Sequence, residues 1–189
     1  MRVPRFRLSF VPVVTALAGA AAACEDASGL PPATIANLVD TISLFALDGT
    51  PLSAPSGFNI EAAQVLRTDR SARFDFAFNL TPAGDAVLLP TGALDLGRAS
   101  GILVQSTSFD SVRSAPVDGY TDSLPVVVDS GTVAVVRSRP SACVFGAVVF
   151  FYGKVQVLAV DTVARRIDLQ VLVDQNCGYR DLEPGIPRR

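Results

Sequence analysis

Arg166-Ile167-Asp168-Leu169-Gln170-Val171-Leu172-Val173-Asp174 decides the fold class of this chain. Ile167, Leu169, Val171 and Val173 alternate with Arg166, Asp168, Gln170 and Asp174, the period of an extended strand with one buried face. Arg73-Phe74-Asp75-Phe76-Ala77-Phe78-Asn79-Leu80 repeats the pattern with aromatic residues on one side and Arg73, Asp75, Ala77 and Asn79 on the other. Residues 41–47, ending in an Asp48-Gly49 turn, and residues 102–109 are further strands. Period two far outnumbers the helical period, so the expected class is all-β, an antiparallel sandwich or meander of short strands with long loops.

Residues 132–138, 147–152, 154–160 and 166–174 read as successive strands, the last two a hairpin about residues 161–165. The uninterrupted apolar run 144–151 predicts a strand covered on both faces at the centre of the core. Residues 61–67 have the composition of one helical turn between strands. The segment 82–123, rich in Gly, Ser, Thr and Asp, predicts long loops, where a binding site would lie. No internal repeat is evident.

The first residues predict an address. Arg2, Arg5 and Arg7 form a basic start, residues 8–19 an apolar stretch too short to span a bilayer, and Ala20 to Ala23 small residues before Cys24. This is the form of a bacterial lipoprotein signal with Cys24 as the lipid anchor; an ordinary secretory signal would leave Cys24 a free thiol. Glu25 after the cysteine favours the outer membrane. Residues 1–23 are then the signal, 24–36 a flexible tether stiffened by Pro31-Pro32, and 37–189 a single all-β domain.

Processing removes three of the 16 basic residues and none of the 18 acidic ones, leaving 13 against 18, a net charge of −5. Nucleic acid is excluded as a partner on that balance. The envelope is a compartment where disulfides persist, so Cys143 and Cys177 are expected to be bridged. With no C-x-x-C spacing and no histidine anywhere, a redox or metal pair has no supporting chemistry.

The absence of histidine also removes the ordinary activation of a Ser or Cys nucleophile, and with three glutamates in the chain no acid–base pair can be nominated. The expectation is a non-enzymatic protein without a cofactor. Asp118, Asp122 and Asp129 could offer oxygens to calcium but lack the spacing of a calcium loop. Asn79-Leu80-Thr81 matches a glycosylation sequon inside a strand. Arg137, Arg139 and Lys154 could form an anion-binding patch on one sheet face, or serve as solvated strand charges that discourage edge pairing.

Arg73-Phe74-Asp75-Phe76-Ala77-Phe78 resembles the aromatic-Asp strand of HmuY-like lipoproteins, envelope haem-binding proteins of some bacteria. Ser108-Phe109-Asp110-Ser111-Val112 leading to Tyr120-Thr121-Asp122 is similar to that family's middle segment. Gly131 to Ser138 followed by Tyr152-Gly153-Lys154-Val155-Gln156-Val157 resembles its closing strands. These motifs cover about half the mature chain. The resemblance implies an all-β envelope lipoprotein, in some members carrying haem between loops. The family's His or Met axial ligands have no counterpart here: there is no His and the one Met is Met1. Tyr120, Tyr152 and Tyr179 remain as possible phenolate ligands.

Two functions follow. A binding lipoprotein, held to the membrane through its lipid and taking a small or hydrophobic ligand, would show an apolar cleft between loops. A structural or adhesive lipoprotein with a protein partner would show a filled core and a flat exposed patch.

Overall fold

The chain folds as two antiparallel sheets facing one another, seen in a computed structural model that describes residues 31–143 and 146–188. The expected signal, Cys24 and the tether up to residue 30 lie outside the described residues. The first sheet comprises β2 (Gly57–Asn59), β3 (Gln64–Leu66), β4 (Phe76–Leu80), β5 (Ala86–Pro90) and β7 (Val126–Val127), in the order β3-β2-β4-β5-β7. The second comprises β1 (Val39–Phe45), β6 (Gly101–Gln105), β8 (Val133–Arg137), β11 (Tyr152–Asp161) and β12 (Arg166–Asp174), in the order β1-β12-β11-β8-β6. A two-stranded ribbon, β9 (Ser141–Ala142) with β10 (Val148–Val149), stands beside them.

Period two explains the sandwich directly. Phe76, Phe78 and Leu80 on β4 and Ile167, Leu169, Val171 and Val173 on β12 turn inward and share one core with Phe58, Leu88, Val155 and Val157. β11 and β12 form the expected hairpin, closed by residues 162–165 with Arg165 at φ 52°. β8, β11 and β12 are consecutive antiparallel neighbours, the expected meander, with the β9–β10 ribbon inserted between β8 and β11.

Leu172 breaks the alternation by pointing to the outer face of the second sheet, yet it is fully buried. That face is roofed by the 3₁₀ turn Phe109–Ser111, by Val112 and Ala115, and by Leu182 of the C-terminal tail. Lys154 lies under the same roof at 2% exposure. Its ammonium donates to the carbonyls of Phe109 (2.8 Å) and Val112 (3.0 Å) and sits 4.4 Å from the centre of the Phe109 ring. Burial lowers its pKa, and the nearby charges of Asp110, Glu183 and Asp181 oppose that shift.

Three expectations are corrected. The run 144–151 is not the centre of the core: of its described residues Val148 is 70% exposed and β10 is two residues long. Gly146, at φ 76°, folds the segment back on itself, with the Cys143 N–H donating to the Ala147 carbonyl (2.7 Å), so apolarity without period here belongs to a peripheral ribbon. Residues 61–67 form no helical turn; Ala63 at φ 51° turns the chain from β2 into β3. The strand expected over residues 102–109 stops at Gln105, because Phe109 is drawn into the roof over Lys154.

The tail from Asn176 is an ordered return segment, as expected. Asn37 and Gly185 exchange backbone hydrogen bonds, and Ser114 bridges to Asp181. Residues 33–35 of the expected tether are held as well: Thr34 and Ile35 donate their N–H groups to Asn176 Oδ1 (2.9 and 3.0 Å), and the Ala33 N–H donates to the Tyr179 hydroxyl. Asp174 orients Asn176 by accepting from both its backbone and its side-chain nitrogen.

Asp174 is buried with Oδ2 lacking a hydrogen-bond partner among the described residues, and burial raises its pKa to about 6. The folded state therefore favours the protonated acid. The associated stability is complete below the ordinary value of 3.8 and is lost as pH rises through about 6. Asp174→Asn keeps an acceptor for Asn176 and removes the buried charge. It is expected to match the parent at pH 4 and to exceed it at pH 8 by about 2 kcal/mol. Urea titrations at the two pH values check this; a difference independent of pH would show that Asp174 carries no such penalty.

Candidate functional site

One end of the sandwich carries a cleft of about 840 Å³. Its walls are the β2–β3 hairpin (Asn59, Glu61, Ala62, Gln64), the loop leading into β4 (Ser71, Arg73) and the chain leaving β8 (Ser138, Arg139, Ser141). Its floor is Asp75, 1% exposed, one residue before β4. The alternation that turns Phe76 into the core turns Asp75 the other way, toward the cleft.

Asp75 joins the three walls. Its Oδ2 accepts the Ile60 N–H (2.7 Å), its Oδ1 accepts the Arg139 N–H (2.8 Å), and Arg139 Nε lies 3.4 Å from the same oxygen. Burial raises the Asp75 pKa, while the two N–H donors and the guanidinium favour its ionised form. Arg139 Nη1 donates to the Ala72 carbonyl (2.8 Å), bringing the loop before β4 to the β8 side. Asn59 fixes the hairpin by donating to the Arg73 carbonyl and accepting from the Ala62 N–H (2.6 Å). On the opposite wall the Ser141 hydroxyl donates to Glu61 Oε1 (3.0 Å), and the Gln175 amide donates to the Glu61 carbonyl (3.2 Å).

Gly57 allows this arrangement. A Cβ on it would stand 2.8 Å from Phe74 Cβ and 3.1 Å from Thr68 Cγ2, so any side chain would push the loop before β4 off β2 and widen the cleft.

The Arg73 guanidinium and Gln64 amide at the rim have no hydrogen-bond or ion-pair partner among the described residues, and both residues are exposed. With the Glu61 carboxylate opposite, the rim offers donors and an acceptor; Ala62, Leu66, Ala99 and Pro140 supply apolar surface between them. Such a lining suits a small polar molecule rather than the large flat apolar face of a porphyrin.

The residues singled out in the sequence disperse. The Cys143–Cys177 bridge is present and ties the tail to the β9–β10 ribbon. Arg137, Arg139 and Lys154 do not form one patch. Arg139 pairs with Asp75, Lys154 is under the roof, and the Arg137 guanidinium is stacked between the rings of Tyr120 (4.9 Å) and Phe150 (4.7 Å). Asp122 is held by Arg98 (2.8 Å), which lowers its pKa, and Asp129 sits in a turn closed by Thr132. Asp118 lies in the loop before Gly119, and no group of three metal-ligating side chains occurs among the described residues.

The tyrosines do not fit haem. Tyr120 donates to the Pro116 carbonyl (2.9 Å), and burial raises its pKa, which disfavours the phenolate. Tyr152 is buried at the start of β11, and the Tyr179 hydroxyl donates to the Pro31 carbonyl (3.1 Å). None of the three lines the cleft. Asn79 of the sequon is also engaged, its amide donating to Asp48 Oδ2 (2.7 Å) beside a second cleft of about 500 Å³ at the other end of the sandwich.

In the sequence Asp75 stands out as the polar member of an alternating strand and of the family-like aromatic-Asp motif, and Glu61 as a member of an expected helical turn and one of three glutamates, neither of them as a site residue. The usable signal was an acid immediately before an aromatic strand, a place where a carboxylate is buried unless it has partners. Set against known proteins, the chain matches no family model, no curated protein and no solved structure.

Proposed function

We propose that this chain is a bacterial envelope lipoprotein, anchored through Cys24, that binds a small polar ligand non-enzymatically in the cleft above Asp75. The observation that carries the ligand reading is the cleft itself. About 840 Å³ lies between three loops, with a buried Asp75 paired to a half-buried Arg139 as the floor that holds the walls in place, and with the unpartnered Arg73 and Gln64 side chains on the rim. A floor whose Asp75 carboxylate is bonded to two of the walls, lying under unpaired rim donors, is the form of a preorganised site. The signal-like start of the chain and the ordered motifs resembling HmuY-like lipoproteins support the envelope setting; the side chains present support a cargo other than haem.

The test is a thermal-shift screen of the protein from Cys24 onward against sugars, amino acids, nucleosides, small organic acids and haemin, run beside Ala62→Trp, which fills the cleft. A compound held at 100 times its Kd stabilises the native state by about 2.7 kcal/mol. The expected result is a polar compound that raises the melting temperature of the parent and not of Ala62→Trp. Stabilisation by haemin with a saturable Soret shift, or by no compound, would overturn it.

The sandwich core is filled by interlocking side chains from both sheets, which favours a second reading as a structural or adhesive lipoprotein making protein contacts.

A further inference from the structure

We propose that, in the anchored protein, the end of the sandwich bearing the cleft faces the membrane. The proposal rests on the lipid-anchor reading of Cys24 and concerns the partner that end meets: the bilayer surface.

The chain joins the domain at the cleft end. Pro31 is bound by the Tyr179 hydroxyl, and Thr34 and Ile35 by Asn176, whose neighbour Gln175 reaches the cleft wall at Glu61. Cys177, on the same short segment, is bonded to Cys143, two residues from Ser141 of the wall. The attachment of the arm and the wall of the cleft are thus one connected structure.

Chain length limits where the lipid can be. Cys24 lies seven residue steps before Pro31, and fully extended these span at most about 25 Å. The nine-residue β12 runs from the hairpin turn at the far end to Asp174 beside the arm, a length of about 30 Å. Even a fully extended arm laid along the sandwich falls short of the far end, and the bilayer is therefore nearer the cleft.

The charges point the same way. At the far end, Asp48, Asp85, Asp129 and Asp161 are all exposed in turns or at strand ends; Arg165 lies beside them, and the neighbouring Arg166 is paired with Asp168, so the end stays net negative. At the cleft end, Arg73, Arg137 and Arg139 balance Glu61, Asp75 and Asp174. An anionic membrane repels the far end and leaves the charge-balanced end toward it. A ligand of the cleft then arrives along the membrane surface or from the lipid headgroups.

The chain contains no tryptophan, so one introduced tryptophan is a clean fluorescence donor. The protein from Cys24 onward would be coupled through that thiol, the one not bridged, to a maleimide lipid in vesicles of phosphatidylcholine, phosphatidylglycerol and a dansyl-headgroup acceptor. Gln64→Trp on the cleft rim is compared with Val163→Trp in the far turn, where Val163 is 94% exposed. Energy transfer is expected to be several-fold greater from position 64. Equal transfer, or greater transfer from position 163, would overturn the orientation. Ala62→Trp supplies a second rim position should Gln64→Trp melt below the parent. Labelled-palmitate incorporation in cells expressing residues 1–189 tests the lipid anchor separately, so a failure of lipidation is distinguishable from a wrong orientation.

Discussion

Asp75→Ala is expected to lower the stability of the domain by about 3–5 kcal/mol, the scale for breaking a buried charge pair by removing one partner. The substitution leaves the Ile60 and Arg139 N–H groups without their acceptor and Arg139 without its counter-charge, at a position 1% exposed. Each orphaned buried donor costs about 1–3 kcal/mol, so the two together account for most of the loss. Asp75→Asn should lose less, because its amide oxygen still accepts one N–H while its NH₂ meets the other donor unfavourably. Urea denaturation at pH 7 ranks the three proteins. A loss below about 1 kcal/mol for Asp75→Ala would mean that solvent satisfies the cleft floor and that Asp75 does not hold the walls. The same substitution frees the Arg139 side of the cleft, so any ligand found by the screen should bind Asp75→Ala more weakly even at temperatures where it is folded.

Cys177→Ser is expected to cost about 3–4 kcal/mol under oxidising conditions, because the Cys143–Cys177 bridge closes a loop of 34-residue separation in the unfolded chain. The tail it secures carries Leu182 onto the roof over Lys154 and Asn176 onto the arm, so the loss should also show as earlier proteolysis of the tail and of residues 31–37. Under reductant the parent and the variant should melt together. Equal melting without reductant would show that the bridge contributes nothing beyond the packing of the tail.

The extent to which the sequence was legible follows from how local each signal is. β12 was readable to the residue because eight of its nine positions obey period two, Leu172 alone departing from it, and β4 because its aromatics alternate cleanly. The 144–151 run misled for the opposite reason. Continuous apolarity has no phase, and one glycine at positive φ sufficed to turn it into a peripheral ribbon with Val148 exposed. Lys154 looked like a surface charge because nothing local shows that residues 109–112 and 182 will fold over it. The cleft was invisible as a site. Asn59, Asp75 and Arg139 come from three separate segments, and neither Glu61 nor Arg139 belongs to a motif of its own.

By itself the sequence determined the all-β class, the hairpin at residues 161–165 and the pairing of the two cysteines of the domain, since each follows from local periodicity, turn chemistry or simple arithmetic. Only the tertiary structure decided how the strands outside the C-terminal meander are ordered, that Lys154 and Leu172 on the outer face of the second sheet are roofed over, and that a buried carboxylate holds three loops around a cleft beside the arm. Those features depend on contacts between residues as many as 148 positions apart, such as Tyr179 with Pro31. The free energy of such contacts comes from desolvation and mutual hydrogen bonding, which exist only once the chain has closed on itself.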